Sequence, residues 1–185
     1  ETIAELVKRK AAMALGVVTN SEIEDATPAG VVSHTRRRSD YNDIVKMFYD
    51  VKPDIVMGGG SPNFLPKAVP GSKRTDDKDM VAAFQEAGYA LATSATELEQ
   101  AVADHQEGGK ILGLFNTGNV DGAYDRKFKK GTTARFPDQP DLAEQTRLAI
   151  DALAKSDKGF FLMVESARID KYKHSLDWER GVYDT

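Results

Sequence analysis

The chain contains no cysteine. That excludes disulfides, thiolate zinc sites and a cysteine nucleophile, and it leaves the compartment open. No run of eighteen apolar residues occurs, so no segment reads as a membrane span, and no signal-peptide pattern is visible. Positive charge is not in excess. Lys and Arg total 25 against 29 Asp and Glu, a formal net charge of −4, so no general basic field attracts nucleic acid. Arg36-Arg37-Arg38 is the one local basic cluster. Internal repeats and low-complexity tracts are also missing.

What is present is enough for one α/β domain with a core: 185 residues, 41% of them apolar. The stretch that organises the rest runs from Gly159 to His174. Gly159 to Val164 is almost purely apolar and reads as a strand buried on both faces of a parallel sheet. It breaks into Glu165, Asp170 and His174. In open α/β sheets ligands sit outside the carboxyl ends of strands, so function is expected there.

Asp170 and His174 are four apart, which places them on one face of a helix where both reach one cation. A carboxylate oxygen with an imidazole nitrogen suits zinc. Glu165, at the strand tip, suits a neighbouring harder ion such as magnesium. Spacing alone leaves open that the three are solvated polar residues.

In chain order, residues 2–14 carry a helical apolar period closed by Gly16, and Val17 to Thr19 read as a short strand. Asp25-Ala26-Thr27-Pro28-Ala29 reads as a helix start, with Thr27 as cap and Pro28 at the first helical position, running to about Arg37. Arg38 follows it. A second helix spans Asn42 to Val51, and a strand covers Asp54 to Met57. Gly58-Gly59-Gly60 reads as a tight turn in preference to a phosphate cradle, because no Lys-Ser/Thr follows. Residues 61–77 read as a surface excursion. A helix to Ala87, a strand over residues 89–93, a capped helix from Ser94 to about His105 and a strand from Lys110 to Phe115 come next. His105 is given no site role. Residues 116–139 form a long loop, expected to be functional or mobile. A helix over residues 140–154 leads to the organising strand. The alternation predicts a doubly wound, mainly parallel sheet with helices on both faces. Val17, Val56, Leu112, Leu114 and Leu162 are the expected core.

Several of these residues fall together. Asp25 to Ala29 with His34 and Arg38, then Val56 to Gly60, then Val164-Glu165 with Asp170 and His174, resemble the alkaline phosphatase family in order and spacing across nearly the whole chain. The resemblance implies hydrolysis of phosphate monoesters through a phosphoserine, with two Zn2+ and one Mg2+. Matched by position, Asp170 and His174 are then zinc ligands, Thr27 and Glu165 magnesium ligands, and Arg38 the guanidinium that holds the phosphate. The family's serine lies upstream of the Asp25–Ala29 segment, and its Asp-His pair lies downstream of Thr185. The expectation is therefore a single partial domain over residues 1–185, truncated at both ends, and inactive alone. Export to the periplasm or cell exterior and a homodimer are family habits. Two other readings stand beside this one: a non-catalytic α/β binding or structural module, and a sister phosphodiesterase, phosphomutase or sulfatase. Thr27-Pro28-Ala29 together with Glu165 speaks against the sister enzymes.

Overall fold

The computed structural model describes residues 1–185. Five strands form one sheet in the order β3-β4-β2-β1-β5: β1 Ala14–Glu22, β2 Ile55–Gly59, β3 Tyr89–Ala92, β4 Lys110–Leu114 and β5 Phe160–Glu165. Every pairing is parallel. Nine α-helices surround it: α1 Ile3–Leu6, α2 Ala26–Val32, α3 Tyr41–Val51, α4 Met80–Glu86, α5 Ala95–Ala103, α6 Ala123–Lys127, α7 Leu142–Leu153, α8 Ala167–His174 and α9 Trp178–Tyr183.

Side chains alternate across a strand, so each inner strand feeds two cores. Val17, Val56, Leu112 and Leu114 face one side, where Ile44 and Phe48 of α3 and Phe84 of α4 cover them. Val18, Ile55, Met57 and Ile111 face the other, under Leu98 of α5 and Leu148 and Leu153 of α7. Each such buried side chain contributes about 1.5–3 kcal/mol relative to exposure. This is the doubly wound α/β arrangement that the alternating pattern predicts.

Three expectations need correction. First, β5 is not buried on both faces. It is an edge strand paired only to β1, and Val164 is 40% exposed. Leu162 is consequently half-buried and packs against the periphery of one core, while the other four expected core residues are at most 5% exposed. Composition reveals an apolar strand but not its place in the sheet order.

Second, the opening helix is short. α1 passes into a π-helical turn, Val7–Ala11, which ends where Ala12 takes φ +51°. Gly16 does not close a helix; it lies inside β1. A Cβ there would meet Leu162 Cδ1 at 2.6 Å and Leu153 Cδ1 at 2.7 Å, so the glycine serves close strand–helix packing.

Third, Thr27 does not cap α2. Asp25 does, accepting the Ala26 N–H at 2.8 Å, and Thr27 and Pro28 are the second and third helical residues. α2 also stops at Val32. The chain then turns through residues 33–40, which carry Arg38 back towards the helix start.

The remaining connections are more ordered than their composition suggests. Within residues 61–77, Arg74 is buried, donates to the Asn63 carbonyl at 3.0 Å and forks onto Asp76 at 2.7 and 2.9 Å. The stretch from 116 to 139 contains α6. Its ends are tied by Asn116 Nδ2 to Gln139 Oε1 at 2.9 Å and Gln139 Nε2 to Asp121 Oδ2 at 2.9 Å.

Candidate metal and phosphate site

The carboxyl ends of β1, β2 and β5 lie side by side, and the polar residues gather there. Glu165 ends β5 in register with Thr19 of β1. Its carboxylate accepts the Thr19 hydroxyl at 2.7 Å and the Ser21 hydroxyl at 3.4 Å. The adjacent residue of β1, Asn20, turns its Oδ1 to the backbone N–H groups of Ala167 and Arg168, at 2.7 and 3.2 Å. A side chain of β1 thus satisfies the N-terminal donors of α8, which Ser166 leaves uncapped.

The other end of α8 is held by Tyr172. Its hydroxyl donates to Asp125 Oδ2 at 2.9 Å, and Arg180 Nε donates to Asp125 Oδ1 at 2.9 Å. Burial pushes the Tyr172 hydroxyl up to about 12, so it remains a donor across the neutral range. Fixed at both ends, α8 presents Asp170 and His174 on one exposed face, with His174 Nε2 3.4 Å from Asp170 Oδ2. The four-residue spacing therefore does what helical geometry requires of it.

Between those two residues, Lys171 points to the centre of the site. Its Nζ lies 2.5 Å from Asp25 Oδ2, and Arg38 Nη2 lies 2.6 Å from Asp25 Oδ1. Asp25 therefore clasps two cations while it caps α2. Burial alone would raise its carboxyl; the hydrogen bonds from Lys171, the Ala26 N–H and Arg38 outweigh this and hold it below the usual carboxylate range. Thr27, the second residue of α2, is exposed, and α2 packs against both β1 and β5. Residues from the β1 exit, the loop after α2 and α8 are so brought to one sheet end.

No three His, Asp or Glu side chains converge into a group arranged to hold a metal ion. Asp170 and His174 come together, and Glu165 instead faces Thr19 and Ser21. Gly58-Gly59-Gly60 is explained by close packing rather than by a phosphate. A Cβ on Gly59 would sit 1.8 Å from the Gly118 carbonyl oxygen, and Gly60 takes φ +85°. Asp25 and Lys171 were not singled out by sequence reasoning as site residues. The only signal available was their place inside the two motifs that hold Thr27 and Asp170. Asp184, near the chain's end, accepts the Ala123 N–H at 3.0 Å and ties α9 to α6.

Comparison with known proteins agrees with this geometry. The family model described as alkaline phosphatase matches residues 1–185. Alkaline phosphatase 3 of Bacillus subtilis is 33% identical over 183 residues, covering 96% of this chain and 34% of its own length. Alkaline phosphatase of Escherichia coli K12 is 31% identical, covering 95% of this chain and 43% of its own. Among solved structures, Thermus thermophilus alkaline phosphatase superposes with a TM-score of 0.80 at 29% identity, covering 95% of this chain and 34% of that one. A mutant of TAB5 alkaline phosphatase with magnesium bound in its M3 site superposes with a TM-score of 0.75 at 26% identity, over 96% of this chain and 45% of that one. The chain thus spans between about a third and a half of the length of the relatives it matches, and over that span it belongs to the alkaline phosphatase family.

Proposed function

We propose that these residues form one part of a larger α/β domain that hydrolyses phosphate monoesters, and that they supply its phosphate-holding cations and part of its metal site. The observation that carries the reading is the Asp25 clasp. One carboxylate draws Arg38 and Lys171 to the sheet end where Glu165 and α8 meet. A guanidinium fork held in place suits the equatorial oxygens of a phosphoryl group, and a second cation beside it offsets the dianion's charge.

The donor chemistry fits the metals that the family uses. Asp170 and His174 offer the oxygen and nitrogen that zinc takes, on one helix face. Thr27 and Glu165 offer oxygen alone, which suits magnesium. Bound there, such ions would stabilise charge on phosphoryl oxygens and lower the pKa of coordinated water. The chain's own residues do the rest. Asp25 fixes the direction of Arg38, Asn20 fixes the start of α8, and Tyr172 fixes its end.

The nucleophilic serine is not assigned to any residue here. Ser21, whose hydroxyl lies 3.4 Å from the Glu165 carboxylate, is fully buried and points more closely to the Glu22 carbonyl, at 3.0 Å. Action at the periplasm or cell exterior, and as a homodimer, belongs to the same proposal. The test is hydrolysis of p-nitrophenyl phosphate at alkaline pH with zinc and magnesium. The 185 residues should give no turnover. A longer enzyme containing them and a family nucleophile should turn over and lose that activity with His174→Ala. Turnover by the 185 residues would overturn the reading that none of their serines is the nucleophile, and longer-enzyme activity that survives His174→Ala would overturn the zinc assignment.

A further inference from the structure

Glu24 lies between the end of β1 and Asp25, and its side chain is fully buried. Its carboxyl reaches the turn after β2, beside Gly60 and Asn63. Asn63 Nδ2 donates to Glu24 Oε1. The two remaining atoms of this contact, Glu24 Oε2 and Asn63 Oδ1, are both buried acceptors without a partner. Two orphaned acceptors on two residues already joined by a hydrogen bond lack one thing, a proton between them. Gly60 completes the cradle. A Cβ there would lie 2.5 and 2.6 Å from the two carboxyl oxygens, so only glycine leaves room for the group.

We propose that Glu24 is a protonated positioning residue, whose Oε2–H donates to Asn63 Oδ1 while Asn63 Nδ2 donates to Oε1. The resulting cyclic acid–amide pair fastens the β1 exit to the turn after β2, and thereby sets where Asp25, one residue on, presents its carboxylate to Arg38 and Lys171. The pair itself is independent of the phosphatase reading; only its consequence for Asp25 rests on it.

The surroundings favour the neutral acid. Burial first, and the Glu22 carboxylate within hydrogen-bonding reach second, push Glu24 well above the ordinary carboxylate range. The charged and titratable neighbours on each side are Glu22 from β1, Asp25 from the loop, Tyr41 from α3, and Lys73 and Arg74 from the excursion. Lys73 is directed to Glu22 at 3.3 Å, and Arg74 to Asp76 and the Asn63 carbonyl. No cation pairs with Glu24 itself.

The test uses the purified protein, Glu24→Gln and Glu24→Ala, and needs neither metal nor turnover. Infrared difference spectra at neutral pH should show the carbonyl stretch of a protonated carboxylic acid that shifts in D2O and is missing in Glu24→Gln. The amide of glutamine makes the same two hydrogen bonds without a titrating proton. The melting temperature of the wild type should therefore fall as pH rises from the ordinary carboxylate range towards the raised value of Glu24, relative to a flatter Glu24→Gln. Hydrogen exchange at residues 23–27 and 58–63 should quicken together in Glu24→Ala and be restored in Glu24→Gln. Absence of the protonated-acid band, or a Glu24→Gln variant that exchanges as fast as Glu24→Ala, would overturn the proposal. If Glu24→Ala does not fold, the band and the Glu24→Gln pH profile decide it.

Discussion

Asp25 does three jobs with one side chain: it caps α2, it holds Arg38, and it holds Lys171. A lost N-cap costs about 1 kcal/mol, and an ion pair open to solvent adds at most about 1 kcal/mol. Asp25→Ala is therefore expected to lower stability by about 1–2 kcal/mol, read from the urea midpoint, and to release both cations from a shared position. The Asp25–Lys171 contact also shows where sequence reading stops at this scale. Its partners lie 146 positions apart, and no periodicity links them. Asp170 and His174, four apart on one helix, were legible because local geometry alone brings them together. Thr27 and Asp25, two residues apart, both offer a capping oxygen, and only the folded geometry selects Asp25.

The element most in need of external support is α8. It is eight residues long and polar, too short to be stable by helix propensity alone. Its N-terminal donors depend on Asn20. Removing that acceptor leaves two backbone N–H groups unpaired, so Asn20→Ala should cost about 1–3 kcal/mol. Amide exchange across residues 167–174 should accelerate while that of β2 and β4 is unchanged; equal acceleration everywhere would mean that Asn20 supports the whole fold instead. Gly16→Ala tests the neighbouring junction. The added methyl must displace the ends of Leu162 and Leu153, and overpacking of this kind costs about 1–3 kcal/mol. Apolar runs and capping residues make element type legible, as at Ser94, which accepts the Glu97 N–H at the start of α5. The edge position of β5 was not legible, because a strand's neighbours are fixed by tertiary order and not by its own composition.

At the scale of the whole molecule, two cores on the two faces of a parallel sheet carry a line of ionisable groups at one end. Asp25 is held below its ordinary range, so its contribution is present above that range and is lost as pH falls through its depressed value. Glu24 is raised, so the unfolded chain ionises it first, and stability declines as pH climbs from the ordinary carboxylate range towards the raised value. The two signs together predict a stability maximum, with an acid limb that Asp25→Asn flattens and an alkaline limb that Glu24→Gln flattens. Urea midpoints across pH check both.

Arg38, aimed by Asp25, is proposed to hold a phosphate beside the metal-donor residues. The most direct test is a calorimetric titration of inorganic phosphate into the protein with zinc and magnesium, beside Arg38→Ala and a metal-free control. A charge-assisted hydrogen bond contributes about 1.5–3 kcal/mol, so Arg38→Ala should weaken binding about tenfold or more. Removing the metals should weaken it as well. Equal phosphate affinity in the wild type and Arg38→Ala, or no phosphate binding under any condition, would contradict the account.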